Sequence, residues 1–239
     1  ISSIHFGLIF MVFATRSLKP LNNPVLKFYV LSIVISALLV SLSLKFQGTG
    51  FTWGQSLMTG FFHVISAIST TGFAISDNNT WPLFACIITI LITIPCGMAG
   101  STTGGIKADR MLLIFKTIGQ QVKNAVHPSS INRLHIGNHI LDKDEIYPHV
   151  VFMCLYLITI GASVALTILS GMDVQNAVAT SISCLSNVGP ALESVGTLGN
   201  FNGVPVLAKI TFIFDMFLGR VEIYPILAVS MMIFSGKNR

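Results

Sequence analysis

Residues 55–73, QSLMTGFFHVISAISTTGF, and residues 173–190, DVQNAVATSISCLSNVGP, are the two stretches that decide the fold. Each opens with an apolar run that is too short for a membrane-spanning helix, which needs about 20 residues. Each run ends at a tetrapeptide that contains glycine instead of at a charged loop. Such lengths are typical of re-entrant helices, and non-helical backbone at membrane depth is tolerated only where it is buried in protein or lines water. The two stretches therefore predict a pore or a cavity.

The rest of the chain has the composition of a membrane protein. Of its 239 residues, 52% are hydrophobic and 10% are charged, and the mean hydropathy is +0.77. Soluble domains carry roughly a quarter charged residues, so this composition excludes a soluble enzyme and a disordered chain. Four runs are long enough to cross a bilayer, and we expect a fifth to be the end of another span: residues 25–44, 82–99, 146–169, 204–234 and 1–14. The fourth run is longer than a crossing requires, so it is expected to tilt, kink or break.

The basic residues orient these spans. If both short helices return to the side from which they enter, 11 of the 14 Lys and Arg residues lie on one side of the membrane. Positive charge concentrates on the cytoplasmic side, so this side is predicted to be cytoplasmic. The net charge of +5 is then a consequence of topology, and no nucleic-acid partner is expected. The pattern predicts a multi-pass protein of the plasma membrane, in contact with the lipid bilayer.

The two short stretches belong to an internal repeat. A shift of 117 positions superposes them and their tetrapeptides. The matched pairs are Ile65 with Ile182, Ser66 with Ser183, Ser69 with Ser186, Gly72 with Gly189, and Ala74 with Ala191. Sequence identity is weak, but the architecture matches as well, because each unit consists of a span, a short helix, a glycine tetrapeptide and a second span.

A short helix followed by such a tetrapeptide has the chemistry of a cation filter. The carboxyl end of the helix carries roughly half a negative charge from the helix dipole and favours a cation. Residues 70–73 (TTGF) and 187–190 (NVGP), here called the first and second filter strands, offer carbonyl oxygens that can replace a hydration shell. Glycine permits backbone conformations that let successive carbonyls face one axis. One Ser-Thr-Thr-Gly sequence alone is typical of an ordinary turn, and only its recurrence after a second short helix favours a filter.

Two other functional classes remain open. A secondary transporter binds its substrate at broken helices, but its repeats are usually inverted, whereas these two units have the same orientation. A membrane enzyme needs a convergent nucleophile and base or a metal site. No His or carboxylate is placed convincingly beside the many Ser and Thr residues, so we expect no enzymatic activity.

A glycine-rich loop and a buried arginine follow the first and second filter strands. The loop consists of Gly100, Ser101, Thr102, Thr103, Gly104 and Gly105. Its spacing to Lys107 does not match a phosphate-binding loop, but its small residues can bend into a cavity. Arg220 lies midway along the final span, where an unpaired charge costs from about 3 to 10 kcal/mol or more. It therefore needs partners, and the candidates are Asp215, Glu222 and the loop carbonyls; its role is structural pairing, a barrier to cations, or both.

Four motifs, in order along the chain, resemble the Trk/Ktr/HKT superfamily of potassium transporters. They are residues 69–73 (STTGF), 100–107 (GSTTGGIK), 184–190 (CLSNVGP) and 219–223 (GRVEI). The resemblance is closest to the bacterial Trk and Ktr membrane subunits and covers nearly the whole chain, with Val221 where Leu is more usual. Family members carry four repeats around one central pore, and this chain resembles repeats three and four.

The resemblance implies an all-α membrane protein built from span, re-entrant pore helix, span repeats as in potassium channels. The expected division is the end of a preceding helix at residues 1–15, a pore repeat at 24–123, a cytoplasmic linker at 124–145 and a second pore repeat at 146–236.

The resemblance also implies potassium uptake across a bacterial inner membrane. The carbonyls of Thr70, Thr71, Asn187 and Val188 are then expected to line potassium sites, with Gly72 and Gly189 at the signature glycine positions. The 100–105 loop and Arg220 are expected to form an intramembrane gate. Potassium at the filter is the only metal expected, without an organic cofactor. The implied partners are a second copy of the full-length pore subunit and a cytoplasmic nucleotide-binding regulatory ring.

Overall fold

The computed structural model describes residues 2–47, 50–127, 134–136, 139–141, 143–191, 195–197 and 199–235. Its helices are α1 (Phe6–Thr15), α2 (Pro24–Phe46), α3 (Trp53–Ile68), α4 (Leu83–Ile92), α5 (Ala108–Val126), α6 (Lys143–Leu169), α7 (Val174–Leu185), α8 (Val206–Val221) and α9 (Ile223–Ser235). Strands β1 (Leu134–Ile136) and β2 (His139–Leu141) form a short antiparallel pair between α5 and α6. The predicted all-α membrane fold is confirmed, with this small hairpin as an addition.

Helices α2 and α6 have the length of membrane spans. Helix α2 has 23 residues and α6 has 27, so at 1.5 Å per residue both exceed the hydrocarbon core of about 30 Å. Among the described residues these are the two helices both long and apolar enough to cross a membrane. Many of their apolar side chains, such as Leu31 and Ile158, are exposed on the outside of the chain.

Helices α3 and α7 are the two predicted short helices. Helix α3 has 16 residues and begins with a capping box, in which Thr52 and Gln55 satisfy each other's backbone N–H groups. Helix α7 has 12 residues, and the carboxylate of Asp173 accepts a hydrogen bond from the Gln175 N–H at its start. Both helices are thus started by local capping and end short of a full crossing.

Each short helix packs against the spans of its own repeat. Helix α3 lies against α2, where a Cβ on Gly60 would collide with the Ser41 hydroxyl and lie 3.1 Å from the Ala37 carbonyl oxygen. The fully buried Val40 and Leu44 of α2 share one apolar core with Ile68 of α3. Helix α7 instead packs between α6 and α8, and it buries the polar side chains of Asn176, Thr180, Ser181 and Ser183.

The later span of each repeat is broken. The run predicted over residues 82–99 is helical only as far as Ile92, after which Pro95 forms a parallel bridge with Ile106. The final run is divided at Glu222, whose φ of +67° cannot continue a right-handed helix. The expected interruption of this long span is therefore observed.

Helix ends also differ from the predicted boundaries of the linker. Helix α5 continues to Val126 and α6 begins at Lys143, because both helices extend past the apolar runs that predicted them. Part of the predicted linker lies outside the described residues, namely residues 128–133, 137, 138 and 142. Residues 1 and 236, the predicted first and last domain boundaries, lie outside them as well. The four domain boundaries remain predictions.

Candidate functional site

The two short helices end in the same hydrogen-bonded motif. The N–H groups of Thr70 and Thr71 donate to the carbonyls of Ala67 and Ser66, each at 3.0 Å. At the positions 117 residues later, Asn187 and Val188 donate to Cys184 and Ser183 at the same distance. This pair of bonds is the Schellman arrangement, which places a left-handed residue just past the end of a helix. The repeat seen in the sequence is thus a repeat of backbone conformation.

Positive φ angles alternate along both filter strands. They are +53° at Thr70 and +70° at Gly72 in the first strand, and +59° at Asn187 and +105° at Gly189 in the second. A left-handed β-branched residue such as Thr70 is a genuine outlier. Such strain persists only where surrounding contacts impose it, and it is common at ligand clamps and active sites.

The first filter strand is held by side chains of its own segment. The Thr71 hydroxyl lies 3.2 Å from the Ser66 hydroxyl and 3.3 Å from that of Ser69. Behind the strand, Nε2 of the buried His63 accepts a hydrogen bond from the Ile75 N–H at 3.3 Å. The His63 ring also packs on Trp81 with 4.6 Å between centroids, so its role is structural.

The second filter strand is held by other elements. The Ser186 hydroxyl lies 3.0 Å from the hydroxyl of Tyr156 on α6, and both residues are fully buried. The Ser183 hydroxyl donates to the Pro190 carbonyl at 2.7 Å. Val188 replaces Thr71 at the matched position and has no hydroxyl with which to copy the contacts of the first strand.

The two strands meet at Gly72. A Cβ on Gly72 would collide with the Val188 carbonyl oxygen and lie 3.1 Å from Cδ of Pro190. A Cβ on Gly189 would meet nothing within 4 Å among the described residues. The structure therefore brings together the filter residues that the sequence predicts. At Gly72 a larger residue is excluded both by the lack of space for a Cβ and by the left-handed backbone conformation.

A hydrogen-bonded clamp outside the filter joins the two repeats, and sequence reasoning missed it. Nδ2 of Asn78 donates to the Ala191 carbonyl at 2.6 Å, and Oδ1 accepts from the Thr197 N–H at 3.1 Å. The Asn78 N–H in turn donates to the Thr197 hydroxyl at 3.2 Å. The two residues are 119 positions apart, so no local pattern signals the contact.

The 100–105 loop lies at the inner end of the second filter strand. A Cβ on Gly104 would lie 2.8 Å from the Ser186 carbonyl oxygen and 2.9 Å from Nδ2 of Asn187. Helix α8 approaches the same place, since a Cβ on Gly219 would collide with the Leu185 carbonyl. Glycine at these two positions allows backbone contact with the end of α7.

Two cationic side chains hold the loop. A guanidinium nitrogen of Arg220 donates to the Thr102 carbonyl, and Nζ of Lys107 donates to the Thr103 carbonyl. The prediction that Arg220 is buried is wrong for this chain, because the end of α8 leaves its side chain exposed. Lys107 is 9% exposed, so its charge lies inside the protein. The signal that could have found it is its place as the first charge after the glycines of the loop.

The other candidate partners of Arg220 are engaged elsewhere. Glu222 forms an ion pair of 2.7 Å with Arg110 of α5. The carboxylate of Asp215 bonds to the Ser163 hydroxyl. Among the described residues, Arg220 therefore bonds to one of its three candidate partners, the loop carbonyl of Thr102.

These features define a class of protein: an all-α membrane protein with paired re-entrant helices, each followed by a strained glycine strand. Residues 24–238 match the family described as TrkH, cation transport protein, and the chain belongs to that family. The Trk system potassium uptake protein TrkH of Escherichia coli strain K12 is 30% identical over 233 residues, covering 96% of this chain and 47% of that protein. The Trk system potassium uptake protein TrkI of Halomonas elongata is 32% identical over 207 residues, 84% of this chain and 41% of that one.

A solved structure has the same fold. The crystal structure of the potassium transporter TrkH from Vibrio parahaemolyticus superposes with a TM-score of 0.87 at 27% identity, covering 95% of this chain and 49% of that chain. This chain therefore spans about half the length of the relatives that it matches, and those relatives are named as uptake proteins rather than enzymes.

Proposed function

We propose that this chain supplies two repeats of a potassium uptake pore in a bacterial inner membrane. The observation that carries the proposal is the strained backbone repeated at Thr70 and Gly72, and at Asn187 and Gly189, each time after a short helix. The names of the relatives support potassium as the transported ion. Because those relatives are about twice as long, a complete pore needs further repeats from the full-length parent protein.

Conduction depends on the backbone. The carbonyls of Thr70, Thr71, Asn187 and Val188 replace water around potassium, with Gly72 and Gly189 allowing the strand conformation. The carboxyl ends of α3 and α7 add the negative ends of two helix dipoles. Potassium is cargo in this proposal, and no organic cofactor takes part.

The 100–105 loop and Arg220 act as the gate. The loop packs against Ser186 and Asn187, so its position decides whether the inner end of the second filter strand is open. Arg220 holds the loop at Thr102 and adds positive charge on the route of a cation. Lys107 is a second anchor, at Thr103.

The proposed partners are a second full-length pore subunit and a cytoplasmic nucleotide-binding ring. Both come from the family resemblance. The cytoplasmic face available for docking is the connection between α5 and α6, which includes the hairpin of β1 and β2.

The deciding experiment is potassium and sodium flux in liposomes that carry the full-length parent with Gly72→Ser or Gly189→Ser. Each change places a side chain at a left-handed backbone position. At Gly72 the new Cβ would also collide with the Val188 carbonyl oxygen. We expect lower potassium flux or new sodium permeability in both variants, with the larger loss at Gly72.

Gly161→Ser is the matched control, because a Cβ at this position on α6 meets nothing within 4 Å among the described residues. Flux that is indifferent to both filter variants would remove the pore proposal. The broken-helix transporter, with substrate bound where α4 and α8 end, would then be the better account.

A further inference from the structure

Asp215 is a buried carboxylate that the filter and gate do not use. It lies on α8, is 3% exposed and accepts a hydrogen bond from Ser163 of α6. Ser163 is also 2.9 Å from the hydroxyl of Ser181 on α7. One chain of three polar groups thus joins the two spans of the second repeat to its short helix.

No cationic side chain pairs with Asp215 among the described residues, where the ion pair found is between Arg110 and Glu222. A buried charge without a partner is strongly destabilising, and ionisable groups at membrane depth are rare and usually functional. If its role were only to bind Ser163, a neutral Asn or Ser would serve without that cost. A carboxylate at this position therefore requires a positive charge, which the described side chains do not supply.

The position of Asp215 indicates where that charge lies. Gly219, one helical turn further along α8, touches the Leu185 carbonyl at the end of α7. Ser181, one turn before Leu185, is joined to Asp215 through Ser163. A turn of helix rises 5.4 Å, so the Asp215 carboxylate lies within roughly 10 Å of the end of α7, where the second filter strand begins.

We propose that the ion in the second filter strand is the counter-charge of Asp215, and that Asp215 is a positioning residue that raises the potassium affinity of that strand. This inference rests on the proposed function. With the carboxylate ionised, the Ser163 hydroxyl donates to Asp215, and this hydrogen bond stabilises the negative charge. The charge adds to the helix dipole of α7 and acts through space on the cation.

The first repeat has a different group behind its filter strand. There the buried His63 lies beside Trp81 and binds the backbone of Ile75. The contribution of Asp215 is therefore specific to the second strand, which also lacks the hydroxyl that Thr71 gives to the first.

The test measures potassium uptake against concentration, and potassium over sodium permeability, in liposomes with the full-length parent. Asp215→Asn keeps the shape and a hydrogen-bonding group but removes the charge. We expect about a tenfold rise in the potassium concentration for half-maximal uptake, with an unchanged amount of folded protein. Ser163→Ala, which keeps the carboxylate, is expected to give a smaller shift in the same direction.

Thr211→Ala is the matched control. Thr211 lies one turn before Asp215 on α8, and among the described residues its hydroxyl bonds within the helix, to the Leu207 carbonyl at 3.0 Å. Wild-type potassium affinity in Asp215→Asn would overturn the proposal. A lower potassium affinity in Ser163→Ala, with unchanged affinity in Asp215→Asn, would also overturn it.

If Asp215→Asn does not assemble, the double variant Ser163→Asp with Asp215→Ser moves the carboxylate across the same contact. An assembled double variant with wild-type affinity supports the proposal, and one with weak affinity overturns it.

The outcome separates this inference from the proposed function. If Gly72→Ser and Gly189→Ser impair flux while Asp215→Asn does not, the pore stands and only the role of Asp215 falls. If the glycine variants have no effect, the pore proposal itself fails.

Discussion

The two repeats reach the same filter backbone by different means. In the first, Thr71 is held by Ser66 and Ser69 of its own short segment. In the second, Ser186 is held by Tyr156 from a neighbouring span, while the 100–105 loop and α8 press against the end of α7. The difference teaches that a strained strand is stable with local or distant support, and that distant support joins it to elements far along the chain.

The coupling has a functional meaning. In the described residues, the candidate gate contacts the second strand at Ser186 and Asn187, and the first strand has no comparable contact with the loop. A change in the gate should therefore reach the second filter strand before the first. Three experiments test this asymmetry.

The largest expected effect is at Gly219, where the second repeat has the least space. In Gly219→Val, the new side chain collides with the Leu185 carbonyl. This carbonyl belongs to the backbone, so it cannot rotate away as a side chain could. We expect a destabilisation of about 3 kcal/mol or more, or no assembly, measured as thermal denaturation of the purified full-length parent.

The control for this change is Gly161→Val on α6, where a Cβ meets nothing within 4 Å among the described residues. Equal stability of the two variants would show that α8 and α7 separate easily. The second repeat would then not depend on this contact.

The next effect concerns the loop. Arg220→Ala removes the donor to the Thr102 carbonyl and a positive charge from the route of cations, so potassium flux should rise several-fold. Arg220→Lys, which keeps the charge, should remain close to the wild type. Flux of the full-length parent in liposomes is the measurement, and unchanged or lower flux at normal expression would contradict a barrier role.

The smallest effect compares the two supports directly. Tyr156→Phe leaves the buried Ser186 hydroxyl without its partner, and Thr71→Val gives the first strand the residue shape of the second. Each is expected to lower the free energy of unfolding by about 1 kcal/mol. Chemical denaturation of the full-length parent measures this loss.

The two variants should differ in flux. Tyr156→Phe acts on the strand next to the gate, so we expect it to alter the open fraction as well as stability. Thr71→Val should alter selectivity and stability but not the open fraction. Identical flux phenotypes would argue against the asymmetry between the repeats.

Much of the fold was predictable because it depends on length and local chemistry. An apolar run shorter than the bilayer cannot span it, so α3 and α7 followed from counting residues. Thr52 and Asp173 are capping residues by type, and they begin these helices. The run at residues 82–99 was predicted too long, since a continuous apolar composition conceals the helix end at Ile92.

The candidate site was predictable only in part. The repeat at a spacing of 117 placed Gly72 and Gly189 in equivalent positions, and their positive φ angles agree with that. The clamp between Asn78 and Thr197 had no local signal, and the burial of Lys107 had only its place after the glycines of the loop. Glu222 pairs with Arg110 and not with Arg220, and spacing along the sequence alone could not distinguish these two pairings.

The sequence by itself determined that this is a membrane protein with two short helices and two glycine strands, because hydrophobic length, capping and glycine conformations are properties of neighbouring residues. Tertiary structure alone decided that Gly104 and Gly219 meet the end of α7, that Arg220 holds the loop, and that Asp215 on α8 bonds to Ser163 on α6. Those contacts join elements distant along the chain, and their geometry depends on how the helices pack, which no linear spacing specifies.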